Sequence, residues 1–352
     1  MIIKTLTLRN FRNYRNTTFE FKPHINVLLG DNGIGKTNVV EAIYYLSLAR
    51  SFRGVEDDEL IMDGNEYGYI NSEIEIGGLK RKIDVILSKT GRQITLNGKP
   101  ITKLSDLSKS VNVILFEPKD VMLFRGSPKE RRDFLNISLS KYSESYLNAI
   151  SRYNRVLKER NNILKANEID KVLLDTNTEM LIQLALPIVN YRLSYIKDIN
   201  DILLKITRAL TGVKRDIKII YHPFVGYNDE FRENAQKAYE KALDTDLKQK
   251  ATTIGVHRED FHIELDGKDI AKYGSQGENR LVALSLKLAP YFLITDKNKK
   301  PIVVLDDVMS ELDEIHQNNL ITFLKKMDQV FITATKLVIV GATHYEIKEK
   351  LN

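Results

Sequence analysis

Gly30-Asp31-Asn32-Gly33-Ile34-Gly35-Lys36-Thr37 matches the phosphate-binding pattern G-x-x-x-x-G-K-[ST] at every fixed position. Its flanks fit as well. Ile25-Asn26-Val27-Leu28-Leu29 reads as a buried strand, and Val39-Val40-Glu41-Ala42-Ile43-Tyr44-Tyr45-Leu46 reads as the helix that follows. Glycine lets the backbone turn tightly, so that N–H groups converge on phosphate oxygens without a Cβ in the way. The helix N-terminus adds the positive end of its dipole. Gly30, Asp31, Asn32, Gly33, Ile34 and Gly35 are the expected backbone cradle. Lys36 would neutralise charge on the β- and γ-phosphates, and the Thr37 hydroxyl would be a Mg²⁺ ligand.

Such a loop needs an acidic partner strand. Ile302-Val303-Val304-Leu305-Asp306-Asp307 is an apolar run ending in two carboxylates. Beside a P-loop strand, Asp306 is expected to hold Mg²⁺, and Asp307 stands where a general base could polarise the attacking water. Taken alone, the run is also a strand that ends in a polar turn; the P-loop upstream tips the reading. About 265 residues separate the two motifs. Small GTPases and nucleotide kinases do not usually carry so long an insert, whereas ATPases of the ABC and SMC type do. That type predicts a Ser/Gly-rich helix start shortly before the acidic strand, and Tyr273-Gly274-Ser275-Gln276-Gly277-Glu278-Asn279-Arg280 fits. Ser275 and Glu278 also have capping-box spacing. Gly277, however, is a poor helix former in a first turn, and its missing Cβ leaves room for a phosphate.

The remaining periodicities organise the chain. Ile2–Leu8, Thr17–Phe21, Tyr69–Ile76, Lys82–Leu87, Arg92–Leu96 and Val111–Phe116 read as strands, with an Asn97-Gly98 turn. At Ser127-Pro128-Lys129-Glu130 a capping box with Pro at N1 opens a long helix. Its apolar stripe runs through Leu135, Leu139, Tyr142, Tyr146, Ile150, Tyr153, Leu157 and Leu164. Further helices are expected over about Thr178–Leu210, kinked at Pro187 and closed by Gly212, and over about Phe231–Lys250, with a strand at Lys214–His222 between them. Strands return at Phe261–Leu265, Ile302–Leu305 and Val330–Thr333, with a helix over about Gln276–Ile294. The expected fold class is α/β: a P-loop ATPase head of ABC/SMC type, split over residues 1–125 and 251–352, with a mainly helical arm inserted over 126–250.

Composition sets limits. The 352 residues allow two domains or three, and 43% hydrophobic residues supply a sizeable core. Cys 0 excludes disulfides, Cys-ligated zinc, iron–sulfur clusters and thiol catalysis, and points to a reducing intracellular compartment. The longest uncharged stretches fall short of roughly 20 apolar residues, so no membrane span is expected. The opening Met1-Ile2-Ile3-Lys4-Thr5-Leu6 alternates like a strand rather than a signal peptide. A net charge of +6 leans towards anionic partners.

With these residues in place, the chain resembles the RecF family of bacterial DNA repair proteins, relatives of the SMC proteins. The likeness includes Leu8-Arg9-Asn10-Phe11-Arg12-Asn13-Tyr14, the P-loop extended to Asn38, Glu41-Ala42-Ile43 and Arg50-Ser51-Phe52-Arg53. It continues in Gly126-Ser127-Pro128, Arg131-Arg132, Arg160-Asn161, Gly255-Val256-His257-Arg258-Glu259-Asp260, Ser275-Gln276-Gly277-Glu278 and Leu305-Asp306-Asp307-Val308-Met309-Ser310-Glu311-Leu312-Asp313. Val256, Glu259, Glu278-Asn279 and Lys119 depart from the family's usual Pro, Asp, Gln-Gln and Glu. No clear Q-loop Gln is visible, and Thr335 stands at the switch position.

The resemblance implies a cytoplasmic, weak, DNA-dependent ATPase that dimerises on ATP and Mg²⁺. ATP would lie between the P-loop of one copy, including Asn38, and Ser275, Gln276 and Gly277 of the other. RecR and RecO are the implied partners, with RecA loaded indirectly at gaps. For DNA, duplex or a single-strand/duplex junction, the arm offers Arg131, Arg132, Arg152, Arg155, Lys158 and Arg160 as contacts to the phosphate backbone without base readout. Each of these could equally be part of a solvated helix face, and the interleaved tyrosines fall on the core stripe. Competing readings are a transporter ATPase subunit, an SMC-like tether, and a DNA scaffold with an idle nucleotide site. The signature and charged insert disfavour the first, the shortness of the insert the second, and the Asp306-Asp307 pair the third.

Overall fold

The computed structural model describes residues 1–101, Leu107 and 110–348. They divide into two compact units. Unit 1 comprises Met1–Asp120, Ile206–Val213 and Leu284–Asn352, and unit 2 comprises Val121–Lys205 and Lys214–Ala283.

Unit 1 holds two sheets. Strands β1 (Ile2–Phe11), β2 (Tyr14–Glu20), β4 (Tyr67–Ile76), β5 (Leu79–Ser88), β6 (Gly91–Leu96) and β7 (Lys99–Pro100) form a six-stranded antiparallel sheet in the order β2-β1-β4-β5-β6-β7. β4 alternates buried and half-buried positions, as expected for a sheet with one face on the core. The second sheet is parallel, with the order β14-β3-β13-β12-β8. It is built from β3 (His24–Leu29), β8 (Val113–Phe116), β12 (Ile302–Leu305), β13 (Gln329–Ala334) and β14 (Thr343–Glu346). β12 and β13 are buried at every residue, which a parallel sheet covered on both faces requires. The core joins Leu6, Leu8, Ile70 and Val85 of the antiparallel sheet to Val304 and Phe331 of the parallel one through Val40, Ile43 and Leu46 of α1 (Lys36–Leu48).

Unit 2 is mainly helical. Ser127 caps α2 (Pro128–Tyr142) with both halves of the expected capping box. The single helix expected from Ser127 to Leu164 is two, because Ser143 is extended (φ −134°, ψ 116°) and accepts the Tyr146 N–H as the cap of α3 (Glu144–Lys165). The local hydrogen bond of a serine side chain outcompetes helix continuation there, although the apolar stripe runs straight across it. α4 (Lys171–Thr211) begins earlier than its periodicity suggests and carries Pro187 within it without ending. Gly212, in the left-handed region at φ 75°, closes it through a bond to Arg208 O. α5 spans Phe231–Gln249.

Unit 2 begins at Val121. The expected return at residue 251 needs correction, since residues 214–283 all belong to unit 2. β10 (Asp260–Leu265) looks like a strand of the head, but it pairs with β9 (Ile217–His222) and β11 (Lys268–Asp269) in a separate three-stranded sheet. The end of α4 lies in unit 1 with Ile206–Val213, the last of the four crossings lies inside α6 (Gln276–Leu293), and Tyr273–Arg280 falls in unit 2.

The interior of unit 2 is charged. Arg192, 1% exposed, donates to Glu259 (2.5 Å), Val256 O (2.9 Å), Asn136 Oδ1 (2.9 Å) and Tyr146 Oη (3.2 Å). Arg160, also 1% exposed, donates to Asp246 and Thr252 at 2.8 Å and to Thr178 at 2.9 Å. Burial pushes the His257 imidazole down to about 4, and its nitrogens meet Tyr153 Oη and Thr252 O at 3.0 Å. By length and composition α4 could cross a membrane, which the reading of uncharged stretches did not anticipate. In the fold it carries Arg192 and packs Leu181, Ile188, Tyr195 and Leu203 into this interior.

A buried pair broken on one side leaves an uncompensated charge. Arg160→Ala is therefore expected to lower the unfolding free energy by about 3–5 kcal/mol, against about 0.5 kcal/mol for exposed Arg155→Ala, in matched urea titrations.

Candidate nucleotide site

β3 delivers the chain to Gly30, and α1 leaves from Lys36. Two glycines are required by their surroundings. Gly30 (φ 150°) would place a Cβ 2.7 Å from Ile347 O, and Gly35 (φ 112°) would place one 2.5 Å from Asn13 Nδ2. The Lys36 ammonium donates to Gly30 O at 2.6 Å and Asp31 O at 2.8 Å, curling over its own loop.

Parallel pairing sets β12 beside β13 and β13 beside β3, so their C-terminal ends meet at the loop. Asp306 Oδ1 accepts the Thr37 hydroxyl at 3.2 Å and the Thr333 hydroxyl at 2.7 Å. Burial holds the Asp306 carboxyl above the usual carboxylate range, while Thr333, Thr37 and the Arg53 guanidinium pull it partway back. Asp307 follows in the left-handed region (φ 51°), its N–H donating to Thr333 Oγ1 at 2.8 Å and its Oδ1 accepting from Ser310 at 3.0 Å. The Thr333 hydroxyl thus braces both acids, a role that the unbroken burial of β13 does not reveal. The residues fit Mg²⁺: a hydroxyl and a buried carboxylate leave most positions to phosphate and water, as that ion prefers. Among the described residues no group of three His, Cys, Asp or Glu could hold a metal without such help.

Apart from Asn38, the loop is braced by residues to which the sequence assigned no chemistry. Asn13 donates to Ile34 O at 2.8 Å, and the Tyr14 hydroxyl donates to Gly35 O at 3.1 Å. Asn38 donates to Asn13 at 2.9 Å and accepts from Arg53 at 3.0 Å. Glu41 is fully buried on α1, gripped by Arg12 through two bonds at 2.8 and 2.9 Å and by Ser51 at 2.5 Å. The polar runs Arg12–Tyr14 and Arg50–Arg53 were visible as motifs, but their convergence on the P-loop is a tertiary fact. Thr335 is exposed beyond β13. Glu117 follows β8, its carboxyl raised by burial and paired with Lys119 at 2.8 Å.

In unit 2 the signature segment starts α6. Ser275 Oγ accepts the Glu278 N–H at 3.2 Å, and Glu278 Oε2 accepts the Ser275 N–H at 2.8 Å. Nothing lies within 4 Å of where a Gly277 Cβ would stand, so the space beside that residue is open.

The expected DNA contacts separate into two sets. Arg152, Arg155 and Lys158 are exposed on α3. Arg160 is corrected to a core residue, since its guanidinium is spent on Asp246, Thr178 and Thr252. Arg131 forks onto Asp260 with two bonds of 2.7 Å, and Arg132 donates to Glu259 O at 2.9 Å, so both brace the segment before β10.

Residues 2–348 match the RecF/RecN/SMC N terminal domain family. The chain is 37% identical to a DNA replication and repair protein RecF of Lachnoclostridium phytofermentans, over 96% of this chain and 93% of that one. It is 35% identical to the RecF of Halalkalibacterium halodurans, over 99% and 98%. A solved recombination mediator protein RecF bound to ATP, of the RecFOR pathway, superposes with a TM-score of 0.89 at 30% identity, over 98% of this chain and 97% of that one. The Smc head domain of Pyrococcus furiosus shares the fold, with a TM-score of 0.57 at 17% identity over 95% and 89%.

A carboxyl held above its unfolded value costs the folded state most at neutral pH; the cost fades as pH falls through the raised folded value and is gone below the unfolded one. Asp306→Asn removes it. We expect the variant's melting midpoint without nucleotide to rise by about 2–4 °C at pH 7 and its stabilisation by ATP with Mg²⁺ to vanish. A lowered midpoint in scanning calorimetry contradicts this.

Proposed function

The chain belongs to the RecF family, within the RecF/RecN/SMC N-terminal-domain proteins, and on that premise we propose that it is an ATPase of recombinational DNA repair and replication restart whose bound triphosphate joins two copies on DNA. The observation that supports this most is the Thr37–Asp306 contact at 3.2 Å, which makes the P-loop and the acidic strand one site.

The roles follow from the chemistry of each group. Gly30 to Asn38 wrap the phosphates with backbone N–H groups, and the Lys36 ammonium exchanges its two carbonyl partners for β/γ oxygens. Thr37 and Asp306 hold Mg²⁺, which supplies charge neutralisation to the phosphates. Asp307 orients and deprotonates the attacking water. Ser275, Gln276 and Gly277 of a second copy donate to the γ-phosphate from the start of α6, so that cleavage of the nucleotide removes part of the dimer contact. Hydrolysis is slow and stimulated by DNA. Arg152, Arg155 and Lys158 track the phosphate backbone of duplex or junction DNA without reading bases. Because solved relatives are recombination mediators of the RecFOR pathway, RecR and RecO are the proposed partners, RecA is loaded at gaps as the outcome, and the cytoplasm is the site of action.

Sedimentation with and without ATP and Mg²⁺, on duplex and gapped DNA, tests the reading. Lys36→Ala should abolish nucleotide binding and the ATP-dependent dimer, whereas Asp307→Asn should bind, stay dimeric and lose turnover; unchanged turnover reassigns the base. Replacing Arg152, Arg155 and Lys158 together by Ala should weaken DNA binding and flatten the slope of log K against log salt by up to about 3. A slope identical to the wild type places the contact elsewhere.

A further inference from the structure

The signature segment carries an acid where a triphosphate is to arrive. Glu278 lies in the first turn of α6, three residues after Ser275, and stands where the sequence departs from the family's usual Gln. An ionised carboxylate favours a helix N-terminus but opposes an approaching anion. Both Glu278 oxygens are engaged. Oε2 accepts the Ser275 N–H at 2.8 Å, and Oε1 accepts Nη1 of Arg215. Arg215 Nε donates to Asp266 Oδ2 at 2.7 Å, and Asp266 Oδ1 accepts the Asp216 N–H at 2.9 Å, which fixes the guanidinium to the turn after β10. Arg215 holds the Glu278 carboxyl below the usual range, so it remains ionised but compensated. Ser275 Oγ accepts the Glu278 N–H, and its hydroxyl also bonds the Glu278 carboxylate, so a γ-phosphate would have to compete for that hydrogen with a carboxylate already engaged by Arg215. The loop is also held from behind. Arg125 donates to Ala271 O and Gly274 O at 3.2 Å, and Asn279 donates to Gly274 O at 3.0 Å and Ser275 O at 2.8 Å.

We propose that Arg215 is a positioning residue that fits this signature segment to a triphosphate: it cancels the charge of Glu278 and keeps that side chain folded back as a cap, so that Ser275 and Gly277 present donors to the γ-phosphate with no net negative neighbour. The inference rests on the shared-nucleotide reading above. Arg215 and Glu278 are 32% and 33% exposed, so the pair contributes little to folding and its replacement leaves the protein intact.

Wild type, Arg215→Ala, Glu278→Gln and the double variant are compared with Mg²⁺ and a non-hydrolysable ATP analogue. Dimer dissociation is read by sedimentation, and nucleotide binding by fluorescence at concentrations too low for dimers. Arg215→Ala should weaken the dimer about tenfold while nucleotide binding by the monomer is unchanged. Glu278→Gln should dimerise at least as tightly as wild type, and the double variant should return to within about twofold of it, because the charge that Arg215 cancels is gone. A double variant as weak as Arg215→Ala, or an Arg215→Ala variant that dimerises normally, overturns the inference. A wild type that stays monomeric overturns the shared-nucleotide reading, and this inference with it.

Discussion

A hydrogen bond from the Thr37 hydroxyl to the Asp306 carboxylate joins residues 269 positions apart, and the arrangement of unit 1 serves to make it possible. In the proposed site neither group would be useful alone: a phosphate loop without an acid would lack a carboxylate for Mg²⁺, and an acid without the loop is a destabilising buried charge. Parallel pairing brings them together. In the order β3-β13-β12 the carboxyl ends of three strands meet at one edge, and helix α1 leaves from the same edge. Thr333 on the strand between completes the contact by donating to Asp306 and accepting from the Asp307 backbone. The cost is a buried acid whose charge is only partly offset within unit 1, an arrangement that makes sense when a cation and a triphosphate belong there.

What could be read in advance followed the range of the interactions. The P-loop, the acidic strand and the Ser127 capping box are local: their residues lie within a few positions of one another, and composition shows them. The inner parallel strands were legible because burial on both faces forces unbroken apolar runs, whereas β14 at the sheet edge, Thr343–Glu346 with no fully buried residue, was not. Contacts made across the fold were not. Arg12 and Glu41 satisfy each other from a hairpin and a helix, and nothing in either neighbourhood indicates the partner. Arg160 follows the same logic: along α3 it looks like its exposed neighbours Arg155 and Lys158, and only Asp246, from α5, shows that it faces inwards. Ser143 is the reverse case, where a three-residue cap overrode a helical stripe that periodicity carried straight through.

The boundary of the helical unit failed to show for a related reason. Asp260–Leu265 has the alternation of any half-buried strand, and alternation does not name its partner. Its pairing with β9 assigns the signature segment to unit 2, so the P-loop and signature stand on separate compact units of one chain. That division suits a nucleotide shared between copies. In the proposed mechanism unit 1 would bind and hydrolyse the nucleotide, and unit 2 would offer donors from a loop held by Arg125, Asn279 and Arg215.

The central claim is that each triphosphate is held by the P-loop of one copy and the signature segment of another. Complementation tests it most directly. Lys36→Ala destroys the P-loop, and Ser275→Arg blocks the signature, so each variant alone has no complete site; mixed dimers have one. The account predicts that an equimolar mixture hydrolyses ATP on DNA when neither variant does so by itself. A mixture as silent as its components would contradict it.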